Sequence, residues 1–164
     1  MNKTIYLAGG CFWGCEKFFR QFDGVLETLV GYANGPTKDP SYKDVCNDSG
    51  HAETVKITYD NNVISLTKLL GYYFMVIDPV SLNKQGHDEG IQYRTGIYYT
   101  HKEDLEEIMK VYNEEEEKIG QHLAVEVLPL INFYKAEEYH QLYLDKNPGG
   151  YCHISKSLLN LKKK

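Results

Sequence analysis

No apolar run in the 164 residues approaches the roughly 20 that a membrane-crossing helix needs. The N-terminal apolar run, Ile5-Tyr6-Leu7-Ala8, is too short for a secretory signal and ends at Gly9-Gly10. Both absences lead us to expect a cytoplasmic protein with no membrane partner, in a compartment where thiols stay reduced. Basic charge is not in excess. Lys and Arg total 18 against 23 Asp and Glu, a net charge of -5, which argues against nucleic acid as a partner. The three basic residues at the end, Lys162 to Lys164, read as a solvated tail. No repeat and no linker divides the chain, so residues 1–164 read as a single domain, and we expect a monomer. Cysteine is sparse, at four, and its spacings do not match the usual paired zinc ligands. No metal is expected, and reactive thiols with core cysteines fit better than a disulfide framework.

Hydrophobic content of 42% and charged content of 25% suit a globular protein with a sizeable core. Tyrosine is abundant, at 14 copies. Alternation and periodicity predict strands at Thr4 to Ala8, Val25 to Tyr32, Glu53 to Tyr59, Thr95 to Thr100 and Ala124 to Leu128. They predict helices at Phe12 to Phe22, from an N-cap at Ser65 to Asp78-Pro79, at Lys102 to Ile119 and at Ala136 to Leu144. Two long loops, 33–50, rich in Gly, Pro, Asn, Asp and Ser, and the polar 79–93, become candidates for a functional site. The first six elements run β-α-β-β-α-β. The expected fold class is α+β: a ferredoxin-like (split βαβ) two-layer sandwich with extra helices, long loops and an irregular C-terminal tail.

The most informative stretch is Gly10-Cys11-Phe12-Trp13-Gly14-Cys15-Glu16. It places Cys11 where a strand turns into a helix N-terminus, whose dipole and free N–H groups favour a thiolate. A thiol of ordinary pKa, about 8.5, is only a few per cent ionised at neutral pH, and each unit of lowering gives roughly tenfold more nucleophile. Phe12 and Trp13 put aromatic surface beside that sulfur, which suits a small apolar group on the substrate. Cys15 shares a helix face with Phe18, Phe19 and Phe22 and reads as core.

Glu53 opens a strand after the loop Asn47 to Ala52. It is either a surface residue or a general acid. With an ordinary pKa near 4.3, about one molecule in 500 is protonated at pH 7, so the acid role needs burial. Tyr42, Asp88 and Tyr93 lie in the two loops, where tyrosines can donate to a ligand oxygen. Cys152, in Gly149-Gly150-Tyr151-Cys152, is either an incidental thiol or one that swings to meet a second sulfur. Cys46 reads as structural. Two rival assignments remain at this point: a cysteine hydrolase using Cys11 with His51 or His87 and Asp88, and a metal-binding module using Cys11, Cys15, Cys46 and His51.

The motif GCFWGCE matches the GCFW signature of the A-type peptide methionine sulfoxide reductases. The chain resembles that family again at GYANG (Gly31 to Gly35), PSYKDVC (Pro40 to Cys46), GHAETVKITYD (Gly50 to Asp60), QGHDEGIQYRTGIYY (Gln85 to Tyr99) and EYHQLYLDKNPGGYC (Glu138 to Cys152). The resemblance implies reduction of methionine S-sulfoxide, free or in proteins, with thioredoxin as reductant and no cofactor. It implies Cys11 as nucleophile, Phe12 and Trp13 as the methyl pocket, and Glu53 as the proton donor. It further implies Tyr42 and Tyr93 as ligands of the oxygen, Asp88 as a shaper of the pocket, and Cys152 as the resolving thiol. Two departures stand out. The segment after Cys152 has no further cysteine for recycling, and Cys15 occupies a position where many members have none.

Overall fold

In the computed structural model, residues 2–150, 152 and 154–161 are described; Lys162 to Lys164, like Tyr151 and His153, lie outside them. β1 (Asn2–Gly9) turns Ile5 and Leu7 to one side and Tyr6 and Ala8 to the other, as period-two alternation requires. It pairs antiparallel with β3 (Ala52–Asp60), which pairs antiparallel with β2 (Val25–Ala33). Two further strands come later: β4 (Lys84–Gln85) and β5 (Asp88–Glu89) form a separate small hairpin. β6 (Thr95–Tyr99) returns beside β1. Last come β7 (Glu126–Pro129), parallel to β6, and β8 (Phe133–Lys135), antiparallel to β2. The six-stranded sheet runs β7-β6-β1-β3-β2-β8.

One face of the sheet is covered by α1 (Phe12–Arg20), α3 (Leu66–Val76) and α4 (Asp104–Ile119). Ile5, Leu7, Val30, Val55 and Ile57 meet Phe18, Phe19, Leu69, Leu70 and Ile108 there. Each fully buried Leu, Ile or Phe contributes about 1.5–3 kcal/mol, so this layer carries most of the fold's stability. The opposite face is thinner: Tyr6, Ala8, Ala33, Ala52 and Tyr98 lie under Leu130 and Phe133. The class is mixed α+β, as expected. Among the described residues no helix is long and apolar enough to cross a membrane.

Besides the short strand β8 and a last short helix, the structure departs from the sequence reading in three places, two for local reasons and one for a tertiary one. The loop 33–50 contains α2 (Tyr42–Cys46), whose N-cap Ser41 accepts from the Asp44 N–H while Asp44 accepts from the Ser41 N–H. Five residues are too few for a periodic signal, but the reciprocal cap satisfies two otherwise orphan donors. The loop 79–93 contains the β4–β5 hairpin and a 3-10 turn, Ile91–Tyr93. The Gln85 amide exchanges hydrogen bonds with the Asp78 backbone, at 2.7 and 2.9 Å, and holds the hairpin down. The helix expected from Ala136 to Leu144 does not form. A 3-10 turn, Glu138–His140, and α5 (Tyr143–Lys146) replace it, because Leu142 sits at φ 54°. Its N–H is taken by Glu16 Oε1 at 2.8 Å, and the Gln141 amide is taken by the β2 backbone at Val30. Those tertiary bonds outweigh helix propensity. A last short helix, α6 (Lys156–Leu159), follows Cys152.

Candidate active site

The chain leaves β1 through Gly10, whose φ of 88° is in the left-handed region that glycine adopts without strain. Cys11 then becomes the N-cap of α1. A helix leaves its first N–H groups without intrahelical partners. Here the Phe12 N–H donates to Glu53 Oε1 at 3.2 Å, and the Trp13 backbone N–H favours the charged form of the Cys11 sulfur without making a side-chain cap bond to it. Glu53 reaches this point because β3 turns it toward the helices, in register with Tyr32 of β2.

Cys11 is 6% exposed and Glu53 1%. Burial raises the Glu53 carboxyl to about 8; the Phe12 N–H opposes the shift and the Asp88 charge adds to it. At pH 7 about nine in ten Glu53 side chains are therefore neutral. Its second oxygen, Oε2, is buried and has no partner among the described residues. A neutral carboxyl of this kind carries a proton to give.

The thiolate expectation needs correction. Burial pushes the Cys11 thiol well above its usual range, the Glu53 charge pushes the same way, and the Trp13 N–H opposes both without overcoming them. Desolvation of the sulfur outweighs the helix N-terminus, so the resting group is a thiol. The Glu53 charge acts on Cys11 only when Glu53 is ionised: while Glu53 is neutral, its repulsion of a thiolate is absent.

The Phe12 and Trp13 rings have supports that the sequence reading missed. The Phe12 ring lies 5.3 Å from the His140 ring and 5.7 Å from Tyr32. The Trp13 indole N–H donates to His140 Nδ1 at 3.0 Å, and the Trp13 ring stacks on Tyr143 with centroids 3.8 Å apart. A half-buried indole N–H requires an acceptor, and that requirement is the one signal that could have pointed to a late histidine. The Tyr42 ring also packs on His140, with centroids 4.5 Å apart, and the Tyr42 N–H donates to Glu137 Oε2 at 2.9 Å.

The structure brings all eight expected residues into one region. The hydroxyls of Tyr42 and Tyr93 are made less acidic by burial first and then by the Glu53 charge, so both lie within its electrostatic reach. Asp88, on β5, acts likewise on Cys11, Glu53, Tyr93 and Cys152. Arg94 keeps the Tyr93 turn in place by donating to the Ile91 and Asn34 carbonyls and to Glu126. Cys152 is half-buried, its sulfur accepting from the Ile154 N–H at 3.3 Å.

Other groups fall outside. Cys15 is buried, and its thiol donates to the Gly9 carbonyl at 3.2 Å. Cys46 ends α2 and is exposed, close enough for its charge to act on Tyr42 and Tyr93. His51 is buried with both ring nitrogens engaged, by Ser49 Oγ at 2.8 Å and the Thr37 carbonyl at 2.9 Å. It is a tie between loops rather than a base for Cys11, and the hydrolase assignment loses its buried histidine. Among the described residues no three His, Cys, Asp or Glu side chains are grouped so as to hold a metal ion.

A sequence model of the family described as peptide methionine sulfoxide reductase matches residues 3–164. The chain is 61% identical over 155 residues to the peptide methionine sulfoxide reductase MsrA of Lachnoclostridium phytofermentans, covering 94% of this chain and 93% of that protein. Among solved structures, reduced Mxr1 from Saccharomyces cerevisiae superposes with a TM-score of 0.89 at 44% identity, covering 94% of this chain and 91% of that one. Mxr1 in complex with Trx2 matches at a TM-score of 0.63 and 30% identity, over 85% and 84% of the two chains.

Proposed function

We propose how this chain, which belongs to the peptide methionine sulfoxide reductase family and is a thiol-dependent reductase of methionine S-sulfoxide, divides that reaction among its residues. The substrate methyl rests against Phe12 and Trp13. The sulfoxide oxygen points to Glu53 Oε2, flanked by the Tyr42 and Tyr93 hydroxyls, with Asp88 shaping the rim. Glu53 gives its proton to the oxygen as the Cys11 sulfur attacks the substrate sulfur, and it regains the proton that Cys11 releases. Oxygen is transferred: the substrate sulfur is reduced by two electrons, methionine leaves, and Cys11 becomes a sulfenic acid.

The Cys152 thiol then attacks that sulfur. An S–S bond forms, the S–O bond breaks, and water departs. A dithiol reductant returns both cysteines to thiols by exchange. The complex of Mxr1 with Trx2 supports thioredoxin in that role. In this reading its attack falls directly on the Cys11–Cys152 bond. In this reading the enzyme is a single-domain cytoplasmic monomer that needs no cofactor and engages neither nucleic acid nor membrane. The central order β6-β1-β3-β2 supports a ferredoxin-like core with β7 and β8 added at its edges.

The observation that carries the assignment is the buried Glu53 carboxyl, uncharged to about pH 8 and with one oxygen unpartnered, one hydrogen bond from the backbone beside Cys11. The test is thioredoxin-dependent loss of methionine S-sulfoxide run beside the R epimer. The S epimer is consumed and the R epimer is not; equal consumption of both would overturn the pocket assignment.

A further inference from the structure

Two helices carry an interior glycine, Gly14 in α1 and Gly71 in α3. Alanine would favour each helix by about 1 kcal/mol. Their surroundings differ. A Cβ at Gly71 would meet nothing within 4 Å, whereas a Cβ at Gly14 would stand 2.7 Å from Cys152 Sγ and 3.3 Å from Ile154 Cδ1. Ile154 is buried, and its N–H is the one that donates to the Cys152 sulfur. The sulfur is thus held from the tail by a hydrogen bond and fits the helix surface only because position 14 has no side chain.

We propose that Gly14 is a positioning residue for the second chemical step, forming the seat in which the Cys152 thiol waits beside Cys11. The proposal rests on the resolving role of Cys152 and adds how its sulfur is brought within reach. Residues three apart at a helix start share a face, with Cβ atoms about 5–6 Å apart. A disulfide needs Cβ atoms about 3.5–4.5 Å apart. From a seat over residue 14, the move to residue 11 is a shift of a few ångström in an irregular tail, with no unwinding of α1. The step balances as before: the Cys152 thiol and the Cys11 sulfenic acid give one S–S bond and one water, the sulfenic sulfur being reduced and the thiol sulfur oxidised. A methyl at position 14 lifts the sulfur off the helix and lengthens that approach.

The experiment compares Gly14→Ala with Gly71→Ala and Cys152→Ser. It reads methionine released per enzyme without reductant, the lifetime of the Cys11 sulfenic acid by dimedone trapping, and thioredoxin-driven turnover. Gly14→Ala is expected to release one methionine per enzyme at the parental rate. Its disulfide forms slower by about tenfold or more, since misplacement by 1 Å costs up to 100-fold, and thioredoxin-driven turnover falls with it. Gly71→Ala changes none of the three. Disulfide formation at the parental rate in Gly14→Ala would overturn the seat, and so would loss of the first methionine, which would tie Gly14 to Cys11 chemistry instead. Undiminished thioredoxin cycling by Cys152→Ser is a separate result: it would remove the resolving role itself.

Discussion

Glu16, on α1, and Glu53, on β3 and bonded to the start of α1, are both buried, at 2% and 1% exposure, yet their oxygens are treated differently. Glu16 is tied at both ends. Its Oε2 accepts from the Thr28 hydroxyl and its Oε1 from the Leu142 N–H, each at 2.8 Å. Burial raises its carboxyl, but those bonds, with the Arg20 and Lys146 charges, pull back. Glu53 has one backbone bond, an unpartnered oxygen and the Asp88 charge adding to burial, and it rises to about 8. A buried carboxyl is costly unless it is bonded or neutral. Glu16 meets that requirement with bonds and becomes a structural pin, which bends the chain at Leu142 and so sets Tyr143 against Trp13. Glu53 meets it by keeping its proton, and so remains free for a substrate.

The contrast breaks most readily at Glu53. Glu53→Gln keeps the shape but removes the transferable proton, and the first-turnover rate is expected to drop by about 10²–10⁴-fold with the fold unchanged by circular dichroism. An unchanged rate would end the distinction between the two carboxylates.

A pH series sharpens it. The first-turnover rate should fall as pH rises through about 8, where Glu53 loses its proton, and Glu53→Gln should lack that limb. Stability follows the same sign. The folded carboxyl titrates near 8 and the unfolded one near the ordinary value of 4.5, so the folded state holds the extra proton between them. The contribution is fully present below about 4.5 and lost as pH rises through about 8. Thermal melts across that window should therefore decline more steeply for the parent than for Glu53→Gln.

The smallest effect on activity is expected at Glu16. Glu16→Gln turns an amide N–H toward one of two donors and should cost about 1–3 kcal/mol, read as a lower melting temperature, with the first-turnover rate changed by no more than a few-fold. A loss as large as that of Glu53→Gln would mean that Glu16 acts in the chemistry.

Cys11 could be placed from the sequence because its signals are local: a Gly-Gly break, then apolar residues at helical spacing. The five principal strands and three long helices were legible for the same reason. Its protonation was not. The dipole at a helix start is set by neighbours in the chain, whereas the desolvation of the sulfur comes from the fold. His140 and Tyr143 lay within a motif already singled out, yet nothing local assigns them to Trp13, 127 residues earlier for His140. The segment 136–144 failed as a helix because its decisive bonds come from Glu16 and β2, far away in the chain.

Periodicity, turn residues and caps act between neighbours, so the order of strands and helices, the thiol at a helix start and the late glycine-rich thiol are properties of the sequence by itself. The protonation of Glu53, the stacking of Trp13 and the sulfur resting on Gly14 depend on burial and on contacts between distant segments. Desolvation and close packing exist only after the chain has closed on itself, and they decided which of two buried glutamates holds a proton to give.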